Sequence, residues 1–153
     1  MMKKLIFATA LLLLSTLAFS QNSNPKYDKA LADSLGADQY GMRSYILVIL
    51  KTGPTKIDNK DTLNLLFKGH MDNISHLANE GKLVIAGPFG KNDSQFRGIF
   101  ILKAKNIEEA KEMVNTDPTV KRGIFDVDFY NWYGSAALPA YLKTHEKIEV
   151  RKP

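Results

Sequence analysis

With 153 residues, 44% of them hydrophobic and 24% charged, the chain has the composition of one globular domain, which excludes a disordered segment. Its formal net charge of +5 falls to +3 once Lys3 and Lys4 leave with a leader, and its densest basic stretch, with Lys143, Lys147, Arg151 and Lys152, is interleaved with Glu146 and Glu149; both argue against a nucleic-acid partner. There is no cysteine, so a hydrophobic core or an oligomer interface has to hold the fold without disulfides.

The chain opens on Met1-Met2-Lys3-Lys4, an apolar run from Leu5 to Leu14, and then Ser15 to Ser20, with the small residues Ala18 and Ser20 placed for cleavage. This is the pattern of a secretory leader over residues 1–20. The run is shorter than the roughly 20 apolar residues that cross a bilayer, so cleavage is expected over a stable membrane anchor, with export to the periplasm or the medium. No cysteine follows the run, which excludes a lipoprotein anchor. Residues 21–43 are mostly polar and read as an extension or linker, with one amphipathic turn around Ala30 to Leu35 and punctuation at Gly36 and Gly41.

Tyr45 to Leu50 is a continuous apolar, β-branched run before Gly53-Pro54 and predicts a first, central strand. Between Asp61 and Glu80 the residues Leu63, Leu66, Phe67, Met71, Ile74, Leu77 and Ala78 follow the spacing of one helical face, with Asp61 as the expected N-cap and Gly81 as the stop. Leu83 to Ala86 predicts a second strand ended by Gly87-Pro88, and Phe96 to Ala104 a third, interrupted by Arg97 and Gly98. Asn106-Ile107-Glu108-Glu109 is a capping signature that opens a second helix, which the Asp117-Pro118 step ends. Ile124 to Trp132 predicts the fourth strand, with Phe125, Val127 and Phe129 on one face and Ile124, Asp126, Asp128, Tyr130 and Trp132 on the other.

The order βαββαβ predicts an α+β, ferredoxin-like fold: a four-stranded antiparallel sheet with two helices on one face, over residues 44–138. The bare second face predicts a homodimer that packs sheet against sheet. Residues 139–153 read as a tail, and the apolar stretch from Gly134 to Pro139, with Tyr141 and Leu142, is suited to pack on a neighbouring strand or a second subunit.

An ordered set of features over Tyr45 to Trp132 resembles the YCII-related domain family: the opening strand, His70 in the first helix, Gly87-Pro88, Gly98, Ile107-Glu108-Glu109-Ala110, Asp117-Pro118, and a last strand ending near Trp132. The ending Trp132-Tyr133-Gly134-Ser135-Ala136-Ala137-Leu138 is similar to that of a secreted subgroup, while residues 21–43 depart from the minimal family pattern. The resemblance implies a dimeric α/β-barrel-like assembly and a pocket between helix and sheet. It also implies a histidine and an aspartate as acting groups, carried here onto His70 and Asp117, and relatives that work on ring-containing small molecules.

His70 lies in the apolar stripe Leu63, Phe67, His70, Ile74, Leu77, so its imidazole faces the sheet. Two readings fit: a core histidine satisfied by a backbone carbonyl, or a general acid or base whose proton exchanges near neutral pH. Asp117 likewise is a helix stop and N-cap for Pro118-Thr119-Val120-Lys121, or the carboxylate that orients His70, and a capping carboxylate has a second oxygen free for that role. Arg97 suits a ligand carboxylate or an exposed rim. Tyr45, Gly87, Pro88, Phe100 and Trp132 are further candidates for a ring-binding pocket, although such aromatics, like Tyr130, also build cores and interfaces.

His76 is six residues from His70, off the three- or four-residue spacing of helical metal ligands, and no metal site is expected. No nucleophile elbow, phosphate loop or dinucleotide fingerprint is present, so no cofactor is expected. Two functions remain. One is a cofactor-independent enzyme that moves a proton on a small cyclic or unsaturated molecule, as an isomerase, lyase or dehalogenase does. The other is a non-catalytic small-ligand binding or accessory protein acting as a dimer. A purely structural module resting on its dimer surface is a third reading and predicts no ligand-sized pocket.

Overall fold

The computed structural model describes residues 24–150, and the expected leader over 1–20, residues 21–23 of the extension, and residues 151–153 lie outside them. The described residues fall into two units, 24–31 and 32–150. In the described part of the first, Asn24 O accepts from the Tyr27 amide at 3.0 Å. Asp28 Oδ1 accepts from the Leu31 amide at 2.9 Å as helix α1, Lys29–Leu35, begins.

The second unit runs β1 (Met42–Thr52), α2 (Lys60–Asn79), β2 (Leu83–Pro88), β3 (Phe96–Leu102), α3 (Ile107–Val114), α4 (Pro118–Lys121) and β4 (Phe125–Ser135), followed by a 3₁₀ turn (Leu138–Tyr141) and α5 (Leu142–His145). The strands lie in the order β2-β3-β1-β4, all antiparallel. This is the ferredoxin-like α+β fold. The two central strands carry four buried residues each against two in each edge strand, because they alone have a neighbour on both sides and no solvated edge.

Strand alternation sorts the side chains onto two faces. Ile46, Val48 and Leu50 of β1, Phe100 and Leu102 of β3, Leu83 of β2 and Phe125 of β4 form the main core with Leu77 of α2 and Ala110, Met113 and Val114 of α3. On the opposite face Tyr45, Val84 and Ile101 form a smaller cluster, against which Leu47, Ile85, Trp132 and Leu138 pack. A register shift between Leu83 and Ile85 on the edge strand lets two consecutive residues, Val84 and Ile85, join the same second-face cluster while Leu83 stays in the main core.

Several local expectations shift. The N-cap of α2 is Asn59, whose Oδ1 accepts from the Thr62 amide at 2.8 Å; Asp61 sits in the first turn instead, where its charge favours the helix dipole. Gly81 does follow the helix, at φ 68°, a left-handed conformation that costs glycine nothing. Both long strands extend past their apolar runs, β1 to Met42–Thr52 and β4 to Phe125–Ser135, because their mutual pairing persists from Met42↔Ser135 to Thr52↔Phe125. Ile124 precedes β4 and packs on the main core, not on the face of Asp126. No helix among the described residues is long and apolar enough to cross a membrane.

Leu102 is fully buried and pairs with Ile46 on one side and Leu83 on the other. Leu102→Ala is expected to cost about 3 kcal/mol, lost transfer energy plus an unfilled cavity, read as a lower urea midpoint at unchanged slope.

Candidate active site

α2 carries His70 on the face turned to the sheet, where its ring meets three aromatic rings. It stacks on Phe100 at 6.0 Å and lies edge-on to Phe125 at 5.4 Å and to Phe67 at 6.3 Å. The chain leaves α3 at Thr116 and turns at Asp117, which caps α4. Asp117 Oδ1 accepts from the Thr119 amide at 2.8 Å and from Thr119 Oγ1 at 2.6 Å. Its other oxygen, Oδ2, lies 2.5 Å from His70 Nδ1. Asp117 and Thr119 have no exposed surface, and the His70 side chain keeps 11% of its own.

A carboxylate only accepts, so the contact assigns the hydrogen to Nδ1 and leaves Nε2 of the neutral ring with a free lone pair. Nε2 has no hydrogen-bond partner among the described residues and is not among the buried unpaired atoms. Burial pushes the Asp117 carboxyl up, but the His70 contact and the Thr119 hydrogen bonds outweigh it and hold the group below the ordinary carboxylate range. The carboxylate is therefore charged at neutral pH and suited to stabilise an imidazolium.

Two features bring the halves together. Gly69 sits in the middle of α2, where glycine costs about 1 kcal/mol relative to alanine. A Cβ there would lie 2.7 Å from Pro118 Cγ, so the missing side chain is what lets α4 close onto α2. Thr116 Oγ1 also donates to Asn73 Oδ1 at 2.7 Å, a second tie between the same segments. Thr119, Gly69 and Asn73 were not singled out from sequence. The available signals were a glycine inside a strong helical pattern immediately before His70, and a threonine two residues after a capping aspartate.

His70 lines a cavity of about 540 Å³ between α2 and the sheet. Gly87, Pro88, Arg97 and Phe100 also line it. Tyr45 and Trp132 do not. They are directly paired across β1 and β4, their rings 5.8 Å apart, and they belong to the opposite face. Among the described residues the polar side chains on the cavity are His70, Arg97, Tyr141 and His145, and none of those that line it is a carboxylate. Among the described residues Arg97 has no ion-pair partner, whereas His76, on the exposed side of α2, lies 3.4 Å from Glu80.

Residues 45–132 match the YCII-related domain. The chain belongs to that family. The matched span of this YCII-related protein contains both His70 and Asp117 and stops short of Tyr141 to His145. Among solved structures it is similar to the 5-chloro-2-hydroxyhydroquinone dehydrochlorinase of Burkholderia phenoliruptrix AC1100 in complex with 2,5-dihydroxybenzoquinone. That likeness is at 20% identity and a TM-score of 0.41, covering 57% of this chain and 92% of the other. No curated protein matches the chain.

In wild type, ¹⁵N NMR is expected to find the neutral His70 ring protonated at Nδ1. Gly69→Ala, despite its better helix propensity, should move that ring toward the Nε2–H tautomer by pushing Pro118 and Asp117 away. A group whose folded pKa is depressed stabilises the fold above its unfolded value and loses that contribution as pH falls through the folded value. Asp117→Asn should therefore cost on the order of 3 kcal/mol at neutral pH. The gap in urea midpoint from wild type should shrink as the pH drops below the ordinary carboxylate range.

Proposed function

We propose that this protein is a cofactor-independent acid–base catalyst that moves a proton on a small cyclic or unsaturated molecule, with His70 as base and Asp117 as the group that orients it. The observation that carries the reading is the 2.5 Å contact between a fully buried carboxylate and a histidine whose other nitrogen is free, on the wall of a mainly apolar cavity. A core histidine held only for packing would have both nitrogens satisfied or buried. Here one is fixed and one is available.

In this reading Nε2 takes a proton from a carbon or hydroxyl of the ligand, and the electron pair left behind moves into the adjacent unsaturated system. The imidazolium is stabilised by Asp117 through Nδ1–H. The imidazolium, whose Nε2 proton exchanges with solvent, then returns a proton at the same or another position, the latter isomerising the ligand, or the electron pair expels a leaving group, which completes an elimination. Positioned proton transfer of this kind is worth about 10²–10⁴-fold in rate. Apolar and aromatic walls suit a flat, unsaturated body, and Arg97, an unpaired cation in a lining without carboxylates, suits an acidic substituent. The basic start and apolar run of residues 1–20 support export of the protein.

The test is solvent-deuterium exchange into a panel of small cyclic and unsaturated carboxylic acids, followed by proton NMR. Exchange into at least one acid is expected, falling by about 10²-fold or more in a folded His70→Gln variant. Undiminished exchange in that variant, or saturable binding without any exchange, would overturn the catalytic reading, and the latter result would favour a ligand-binding protein.

We also propose a homodimer through the second sheet face. On that face Leu47, Ile85 and Trp132 are half-buried over the buried Tyr45 and Ile101, and Tyr130 stands half exposed beside Leu47 across the β1–β4 pairing. Tyr130→Arg is expected to give a monomer by light scattering where the parent chain is a dimer; a monomeric parent chain would refute the assembly.

A further inference from the structure

The cavity has a wall that does not come from the family domain. Tyr141, Leu142 and His145 line it, yet all three lie beyond residue 132, where the family match ends. The segment reaches the cavity by a built path. Leu138 packs on the second-face cluster of Tyr45, Val84 and Ile101 and starts the 3₁₀ turn, Pro139 lies in its first positions, and the Tyr141 hydroxyl donates to Val84 O at 2.7 Å on edge strand β2. That bond caps a backbone acceptor beside the strand's register shift, and burial pushes the Tyr141 phenol up. The chain thus crosses the sheet edge and places the half-buried Leu142 and, one helical turn on, His145 against the cavity.

We propose that the segment Leu138–His145 is the specificity element of the cavity, with Leu142 setting the size of ligand admitted and Tyr141 pinning the segment in place. The proposal deepens the function proposed above, since it assigns ligand selection at the same site. Three physical arguments carry it. Leu142 brings an apolar side chain to a lining otherwise supplied by α2, β1, β2, β3 and β4, so a change in its volume changes the space directly. Tyr141 ties the segment to edge strand β2 by a hydrogen bond that is independent of the dyad. The anchor at Leu138 is apolar and on the other face, so the turn that crosses the sheet edge is held at Leu138 and at Tyr141 and carries Leu142 to the cavity.

The experiment compares two probes with the full chain: 8-anilinonaphthalene-1-sulfonate, a large aromatic anion followed by fluorescence, and benzoate, a one-ring anion followed by competition and ligand-detected NMR. Leu142→Trp should weaken the naphthalene probe by at least about tenfold, the scale of an overpacked pocket, and change benzoate by less than about threefold. Leu142→Ala should shift the ratio of the two affinities in the opposite direction. Tyr141→Phe keeps the ring but removes the bond to Val84, and should reduce the selectivity between probes while thermal unfolding stays close to the parent. A folded Leu142→Trp chain that binds both probes with parental affinities overturns the proposal, and so does a parent chain that binds neither. Both readouts are binding without turnover, so failure here is distinct from failure of the exchange assay on His70.

Discussion

A carboxylate with no exposed surface has to be compensated by what surrounds it, and in this protein that requirement falls on Asp117. Removing an ion of this kind from water costs several kcal/mol even after relaxation. The Thr119 amide and hydroxyl satisfy one oxygen and His70 Nδ1 the other. The compensation is part local and part long-range: Thr119 is two residues away and His70 is forty-seven. Because the long-range part cannot form unless α4 closes onto α2, the charge at Asp117 and the missing side chain at Gly69 are one constraint seen from two sides.

The same constraint shapes the cavity. With Nδ1 committed to Asp117, the imidazole is held in one orientation among Phe67, Phe100 and Phe125, and the remaining nitrogen is the polar atom it offers to a guest. Rigid aromatic neighbours keep the ring from turning away, as preorganised acid–base chemistry requires. The lining beyond His70 is apolar apart from Arg97 and the C-terminal Tyr141 and His145. Behind the histidine the charge is balanced, and in front of it the described lining offers only neutral or basic side chains, which is the basis for proposing an acidic, unsaturated guest.

Strand parity divides the aromatic residues between two jobs. Phe100 and Phe125 alternate onto the helix side, where they meet His70, and Tyr45 and Trp132 alternate onto the other. The expectation that Tyr45 and Trp132 share a pocket with Phe100 did not carry across to the neighbouring strands the parity that already set Trp132 opposite Phe125. Trp132 is seven residues from Phe125, an odd separation, and opposite faces follow from a period of two. Lys51, Asp126 and Asp128, whose side chains meet at 2.8 to 3.3 Å, close the polar end of the same second face.

Local signals were legible because each is complete within a few residues. The apolar run at Tyr45 to Leu50, the stripe through Leu63 to Leu77, the cap at Asn106 and the Asp117-Pro118 stop each carry their own hydrogen-bonding or packing logic. Their order was enough for the ferredoxin-like sheet, and the resemblance to the YCII-related family named both halves of the dyad as candidates. The exact ends of β1 and β4 were less legible, since they are set by mutual pairing, and the cap of α2 moved from Asp61 to Asn59 because two good capping residues stood within one turn. What the sequence by itself determined was therefore the elements, their order and the chemical types available. Only the tertiary structure decided that His70 Nδ1 meets Asp117, that Gly69 makes room for Pro118, and that a segment beyond the family domain reaches the cavity, because each depends on distances between residues far apart in the chain and no local pattern encodes such a distance.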